Sequence, residues 1–148
     1  MKIAIGTDHA AFELKTKIIN YLQKKGYEVF DEGTYSTDSC DYPDFAIKVA
    51  NKVAAGIADR GILICGTGIG MSITANKVKG IFSVLAALCT NEFMAEMTRK
   101  HNNSNVLCMG ARVSTETEIF AIMNKWLTTE YEAGRHQNRL NKILELEK

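Results

Sequence analysis

What the sequence is short of narrows the field first. Its apolar runs all fall far below the roughly 20 residues that span a bilayer, which excludes a membrane-crossing helix, and the apolar stretch in MKIAIGTDHA is too short for a signal peptide. A cytoplasmic location is expected. Net charge is nearly absent too, with 18 Lys and Arg against 17 Asp and Glu. No global field draws nucleic acid or an anionic membrane, so any anion site must be local. The four cysteines, Cys40, Cys65, Cys89 and Cys108, lack Cys-x-x-Cys spacing, which argues against structural zinc and against a disulfide framework. A P-loop is missing as well, because no Gly-Lys-Ser/Thr occurs. Repeats, linkers and low-complexity segments are absent.

What is present reads as one ordinary domain over residues 1–148, with 46% apolar and 24% charged residues. Five short apolar segments, KIAIG at 2–6, YEVFDEG at 27–33, GILICG at 61–66, IFSVLAAL at 81–88 and NVLCMG at 105–110, predict strands. Helical periods separate them. Leu14, Ile18 and Leu22 repeat before a stop at Gly26, and Val49 and Val53 repeat after Pro43. A third helix is expected over 91–100. Thr115 with Glu118 makes a capping-box signature ahead of Ile119, Ile122, Met123 and Trp126, and a last helix follows Gly134. Strands alternating with helices predict a three-layer α/β/α sandwich around a Rossmann-like, five-stranded parallel sheet. Ligands of such sheets sit outside the carboxyl ends of the strands.

The loop after the third segment reads CGTGIGMS. A dinucleotide fingerprint would need glycine where Met71 stands, on the first strand rather than the third. The remaining reading is a nest of backbone N–H groups from Gly66 to Gly70, including Thr67, Gly68 and Ile69, at a helix N-terminus, able to hold an anion or a developing oxyanion. Cys65 immediately precedes it. A lone cysteine is by pattern a small buried hydrophobe, but a thiol facing outward N–H groups becomes a usable base or nucleophile. Cys40, Cys89 and Cys108 have no such neighbour and read as plain buried thiols.

Asp8 and His9 follow the first strand and are placed to grip hydroxyls or phosphate. His101 and Asn102, in TRKHNNSN, read equally as a polar helix end and as functional groups. Arg135 and Arg139 form an i, i+4 pair at the start of the last helix, where cations are unfavourable unless an anion compensates them. That points to phosphate, with Arg112 as a third donor. Aromatics are not interleaved with this basic stretch, so it is not a nucleic-acid surface.

GTDHA at 6–10, DYPDFA at 41–46, ICGTGIGMSITANK at 64–77, HNNSNVLCMGARV at 101–113 and YEAGRHQNR at 131–139 together resemble the type B ribose-5-phosphate isomerases, the family that includes the galactose-6-phosphate isomerase subunits. The resemblance implies aldose–ketose interconversion through an enediolate, with no metal and no organic cofactor. It implies Cys65 as the base at C2, Thr67 as an aid to proton return and His101 as the ring-opening acid. Asp8, Tyr42 and Asn102 would hold sugar hydroxyls, and His9, Arg112, Arg135 and Arg139 the phosphate. It also implies a homodimer with sites between subunits, leaving a tetramer open. Two departures stand out. Ala11 replaces a glycine, placing a methyl beside the expected sugar site, and Phe82, Ser83 and Val84 look inserted, with Leu85 where an arginine is expected. Ribose 5-phosphate is the first substrate expected; allose 6-phosphate, galactose 6-phosphate or a role as a non-catalytic binding subunit are the alternatives.

Overall fold

The computed structural model describes residues 1–148. Its strands are β1 (Lys2–Thr7), β2 (Glu28–Asp31), β3 (Arg60–Cys65), β4 (Ala86–Leu88) and β5 (Val106–Gly110), and its helices are α1 (Phe12–Lys24), α2 (Tyr42–Ala54), α3 (Ile69–Asn76), α4 (Glu92–Asn102), α5 (Glu116–Thr128) and α6 (Arg135–Leu144). The strands form one sheet in the order β2-β1-β3-β5-β4. Every pairing is parallel. No helix is long and apolar enough to cross a membrane.

Strand side chains alternate between faces, and the two halves of the core follow that alternation. Ile3, Ile5, Ile62, Ile64, Leu107 and Met109 pack with Ile18 and Leu22 of α1 and with Ile119, Ile122 and Trp126 of α5. Ala4, Leu63, Cys65, Val106 and Cys108 pack on the other face with Val49 and Val53 of α2 and Met71 and Ala75 of α3. The sheet is therefore covered on both sides, as parallel sheets require. Right-handed crossovers carry the chain leftward from β1 over one face and rightward from β3 over the other.

Helix ends form where the sequence marks them. Pro43 lies in the first turn of α2, where its missing N–H costs nothing. Gly26 follows α1 with φ of +88°, a left-handed stop that glycine takes without strain. At α5 the capping box is closed on both sides, with Glu118 N–H donating to Thr115 Oγ1 at 3.2 Å and Thr115 N–H to Glu118 Oε2 at 2.8 Å. The loop after β2 is anchored by a buried lysine. Lys15 Nζ lies 2.6 Å from Asp31 Oδ1, which also accepts from Gly33 N–H at 2.9 Å, and it sits 4.8 Å from the centre of the Tyr35 ring.

The expected strand at 81–88 is shorter than its pattern. Only Ala86–Leu88 pairs, because its neighbour β5 begins at Val106, in register with Ala86. The preceding residues find other partners. Phe82 N–H donates to Ala54 O at 3.0 Å, Asn105 Nδ2 donates to Ser83 O and Asn105 Oδ1 accepts from Leu85 N–H, both at 2.8 Å. Val84 is buried against the α2 and α3 side of the core. The strand over 27–33 is likewise confined to Glu28–Asp31, and the third helix extends past 100 to include His101 and Asn102 in its last turn.

Candidate active site

β1 and β3 are neighbours whose following helices pass to opposite faces, which opens a crevice at their carboxyl ends. The loops stay joined there, with Asp8 N–H donating to Ile64 O at 3.2 Å. Cys65 ends β3 opposite Gly110 and is 5% exposed. Gly68 N–H donates to its sulfur at 3.1 Å, and Thr67 Oγ1 accepts from Ile69 N–H at 3.3 Å. The sulfur thus lies against the loop that opens α3. Glycine is required at 68: its φ is +80°, and an added Cβ would lie 2.8 Å from the Met109 carbonyl carbon. At Gly70 a Cβ would collide with the Tyr42 ring, which therefore lies against the first turn of α3.

The remaining groups of this end converge on the same crevice. Asp8 Oδ1 accepts from Ala10 N–H at 2.9 Å. His9 Nδ1 accepts from Cys40 N–H at 3.3 Å, so in the neutral ring Nε2 carries the proton and is left as a donor. Arg112 N–H donates to Gly66 O at 2.9 Å, and its guanidinium lies over Gly66, whose Cβ, if present, would stand 3.3 Å from Nη1. A cleft of about 430 Å³ opens beside His9, Ala10 and Ser114. The other thiols differ in chemistry. Burial pushes Cys89 up to about 12, and burial, with Cys89 and Cys65 nearby, pushes Cys108 up further.

The second group of expected residues is elsewhere. α4 leads from the carboxyl end of β4 back to the amino end of β5, and its 11 residues rise about 16 Å. His101 and Asn102, at its far end, thus lie at the opposite edge of the sheet from Cys65. His101 stacks on His136 of α6, with ring centroids 4.2 Å apart and an interplanar angle of 18°. Arg135 and Arg139, on the same helix, are exposed. His136 Nε2 is 3.6 Å from Glu132 Oε2, and desolvation, then the charges of His101 and Arg135, lower its pKa from the usual histidine value. One chain therefore places the expected residues in two groups: Asp8, His9, Tyr42, Cys65 to Gly70 and Arg112 at one end, and His101, Asn102, Arg135 and Arg139 at the other. The thiol, its nest and the arginine pair do not meet within it.

Comparison with known proteins identifies the family. A family model described as Ribose/Galactose Isomerase matches residues 3–143. The chain belongs to the ribose/galactose isomerase family. Ribose-5-phosphate isomerase B of Escherichia coli is 47% identical over 146 residues, covering 99% of this chain and 96% of that protein. The ribose-5-phosphate isomerase B structure from Clostridium thermocellum superposes with a TM-score of 0.95 at 51% identity, over 99% of this chain and 97% of that one. A Mycoplasma genitalium ribose-5-phosphate isomerase B solved with bound ribulose-5-phosphate gives 0.93 at 45% identity, over 99% and 95%. The family is one of isomerases, and this chain is an isomerase of that α/β fold.

Within the ribose/galactose isomerase frame, Ala11 needs correcting. Its side chain is 1% exposed and packs in the α1 and α5 side of the core, so its methyl faces away from the crevice and cannot alter the fit of a sugar. Ala10, not Ala11, lines the cleft. Two neighbours of the expected residues differ from their sequence reading. Cys40, expected as a plain buried thiol, is half-buried and its backbone reaches His9, because β2 lies beside β1 and both loops leave the same edge of the sheet. His136 was hidden between arginines that carried the more obvious charge signal.

Proposed function

We propose that the chain interconverts ribose 5-phosphate and ribulose 5-phosphate by proton transfer through an enediolate, with Cys65 as the base. The observation that carries this reading is the Gly68 N–H on the Cys65 sulfur at the mouth of the glycine nest. The acidity of the C2 proton comes from the adjacent carbonyl, so the proton can leave only if the oxygen that gains charge is stabilised as it forms. Within the nest from Gly66 to Gly70, the N–H groups of Gly66, Thr67 and Gly70, which neither the Cys65 sulfur nor the Thr67 hydroxyl occupies, supply that stabilisation, a contribution of about 10² to 10³ in rate per donor in comparable sites. Cys65 takes the C2 proton and returns it to C1 on the same face, while the Thr67 hydroxyl passes the O2 proton to O1, so that the C1 aldehyde becomes a hydroxyl as C2 becomes the carbonyl.

A furanose hides the carbonyl, so ring opening comes first. A proton must reach the ring oxygen while the anomeric hydroxyl loses one, and His101 is the group assigned to the acid. Arg135 and Arg139 hold the phosphate together with His9 and Arg112, while Asp8, Tyr42 and Asn102 hold hydroxyls. Because the two groups of residues lie at opposite edges of one sheet, they join only when the far end of a second subunit covers the Cys65 crevice. A homodimer is the smallest assembly that provides this.

Mixing the protein with ribose 5-phosphate in heavy water and following it by proton NMR tests the reading. Ribulose 5-phosphate should appear with loss of the C2 proton signal, and Cys65→Ala should slow both by about 10² to 10⁴. An unchanged rate in that variant would remove Cys65 from the mechanism. A six-carbon substrate is the second reading. With Ala11 facing the core, it rests on Leu85, which lines a cleft of about 260 Å³ together with Asn102. A higher kcat/KM on allose 6-phosphate or galactose 6-phosphate than on ribose 5-phosphate would favour it.

A further inference from the structure

We propose that His101, Glu132 and His136 form a binding site for a zinc-class divalent ion, and that filling it switches the enzyme off. Each residue offers one ligand atom, and the three atoms lie within 4.8 Å of one another. A tetrahedral ion with bonds of about 2.0–2.2 Å spaces its ligands by about 3.4 Å. His136 Nε2 and Glu132 Oε2, at 3.6 Å, already stand at that spacing, and His101 joins them by turning out of its stack on His136. The backbone holds the two segments together, since Glu132 N–H donates to Lys100 O at 3.1 Å. His136 is buried and supplies the fixed ligand, whereas His101 is half-buried and Glu132 exposed, free to close on their solvent side. Two imidazoles and a carboxylate are the donor set of open zinc sites, with a fourth position left for water or phosphate. In the sequence only the i, i+4 pair Glu132 and His136 is visible; His101 comes from α4, far away along the chain.

The surrounding charges select which ions it takes. Arg135 and Arg139 lie on the same helix as His136, and Lys100 Nζ stands 3.8 Å from Glu132 Oε1 while pairing with Glu96 at 2.6 Å. A cation held by charge alone is repelled there, so Mg²⁺ and Ca²⁺ are excluded, whereas Zn²⁺, Co²⁺ and Ni²⁺ gain from imidazole itself.

Binding and stacking are incompatible. Imidazole lone pairs lie in the ring plane, so two rings 18° from parallel cannot both aim at one ion. The ion draws His101 out of the stack and occupies the nitrogen on which it would carry its acidic proton. Binding stands on geometry alone; the inhibitory half rests on the role assigned above to His101.

The experiment uses metal-free full-length protein and Zn²⁺ or Co²⁺ as the probe. Calorimetry should find one Zn²⁺ per chain, weakened by more than about tenfold in Glu132→Gln and in His136→Gln, since losing even an outer-shell partner costs about that much. Bound Co²⁺ should give a visible d–d band without sulfur-to-cobalt charge transfer. Glu132→Gln should retain basal turnover while its zinc inhibition constant rises by the same factor as its binding constant, and equal concentrations of Mg²⁺ should do nothing. Zinc should block ribose 5-phosphate consumption yet leave deuterium exchange at C1 of ribulose 5-phosphate, which needs Cys65 but no ring opening, within twofold. Absence of zinc binding, or a charge-transfer band with equal loss of both activities in wild type and Glu132→Gln, overturns the proposal, because the ion would then sit on Cys65. Glu132-dependent binding without any loss of turnover would keep the site and overturn the switch.

Discussion

If Cys65 of one subunit works with His101 of another, two dead enzymes should make a live one. Cys65→Ala removes the base and His101→Asn removes the ring-opening acid, and each variant alone should fall by about 10² or more. Neither change disturbs the core packing of the other end, since α4 separates the two positions by the depth of the sheet. Mixed in equal amounts and allowed to exchange subunits, the pair yields half heterodimers. Each heterodimer has one site in which both residues are mutant and one in which both are intact. Roughly a quarter of all sites, and so roughly a quarter of wild-type activity, should return. The assay is ribose 5-phosphate turnover before and after exchange, with exchange followed by native mass spectrometry. Heterodimers formed without recovery would refute the shared site and return both residues to a single chain or to separate tasks.

Two glycines in the nest should respond unequally to the same change. Gly68→Ala meets the Met109 carbonyl and a left-handed φ, a strain of about 3 kcal/mol that should lower Tm by roughly 6–12 °C and kcat by about 10²; Gly66→Ala meets only the flexible end of Arg112 and should leave Tm within about 2 °C. Arg135→Ala should raise KM for ribose 5-phosphate about tenfold or more with a smaller change in kcat, the signature of a lost phosphate contact in steady-state kinetics. Lys15→Ala should cost about 2 kcal/mol in urea denaturation, below the usual figure for breaking a buried pair because Asp31 is partly exposed. Because burial and neighbouring charges lower the pKa of His136, the unfolded chain takes up a proton the folded one resists, so stability should drop as pH falls through about 6.5; denaturation curves of His136→Gln should show a shallower fall over that range.

Much of the fold was legible because it rests on local periodicity. Leu14, Ile18 and Leu22 share a face in any helix, and the capping box at Thr115 closes whatever lies beyond it. The glycine nest and the thiol before it were legible for the same reason: they are consecutive. What the sequence hid is direction. His101 and Cys65 both sit near strand ends by residue count, yet a helix that runs back along the sheet puts them at opposite edges. Ala11 shows the same limit, since a residue next to a binding loop faces either the ligand or the core, and only the turn that follows Asp8 decides. At 81–85 the apolar, β-rich run was right for a strand, but pairing requires a neighbour, and β5 had not yet begun. Cys40 and His136 became meaningful only through what stands beside them.

The uneven burial of the four thiols gives the protein an internal standard. Cys89 and Cys108 are held protonated inside the core, so a mild alkylating reagent passes them by while the fold is intact. Cys40 is the half-buried thiol and is labelled as well, so the label is read site by site, and modification at Cys65, with an N–H on its sulfur, is what should track lost turnover. Counting all thiols after denaturation then gives the number of molecules, and counting those blocked at Cys65 gives the fraction silenced. One chain thereby reports its own concentration and its own activity with the same reagent.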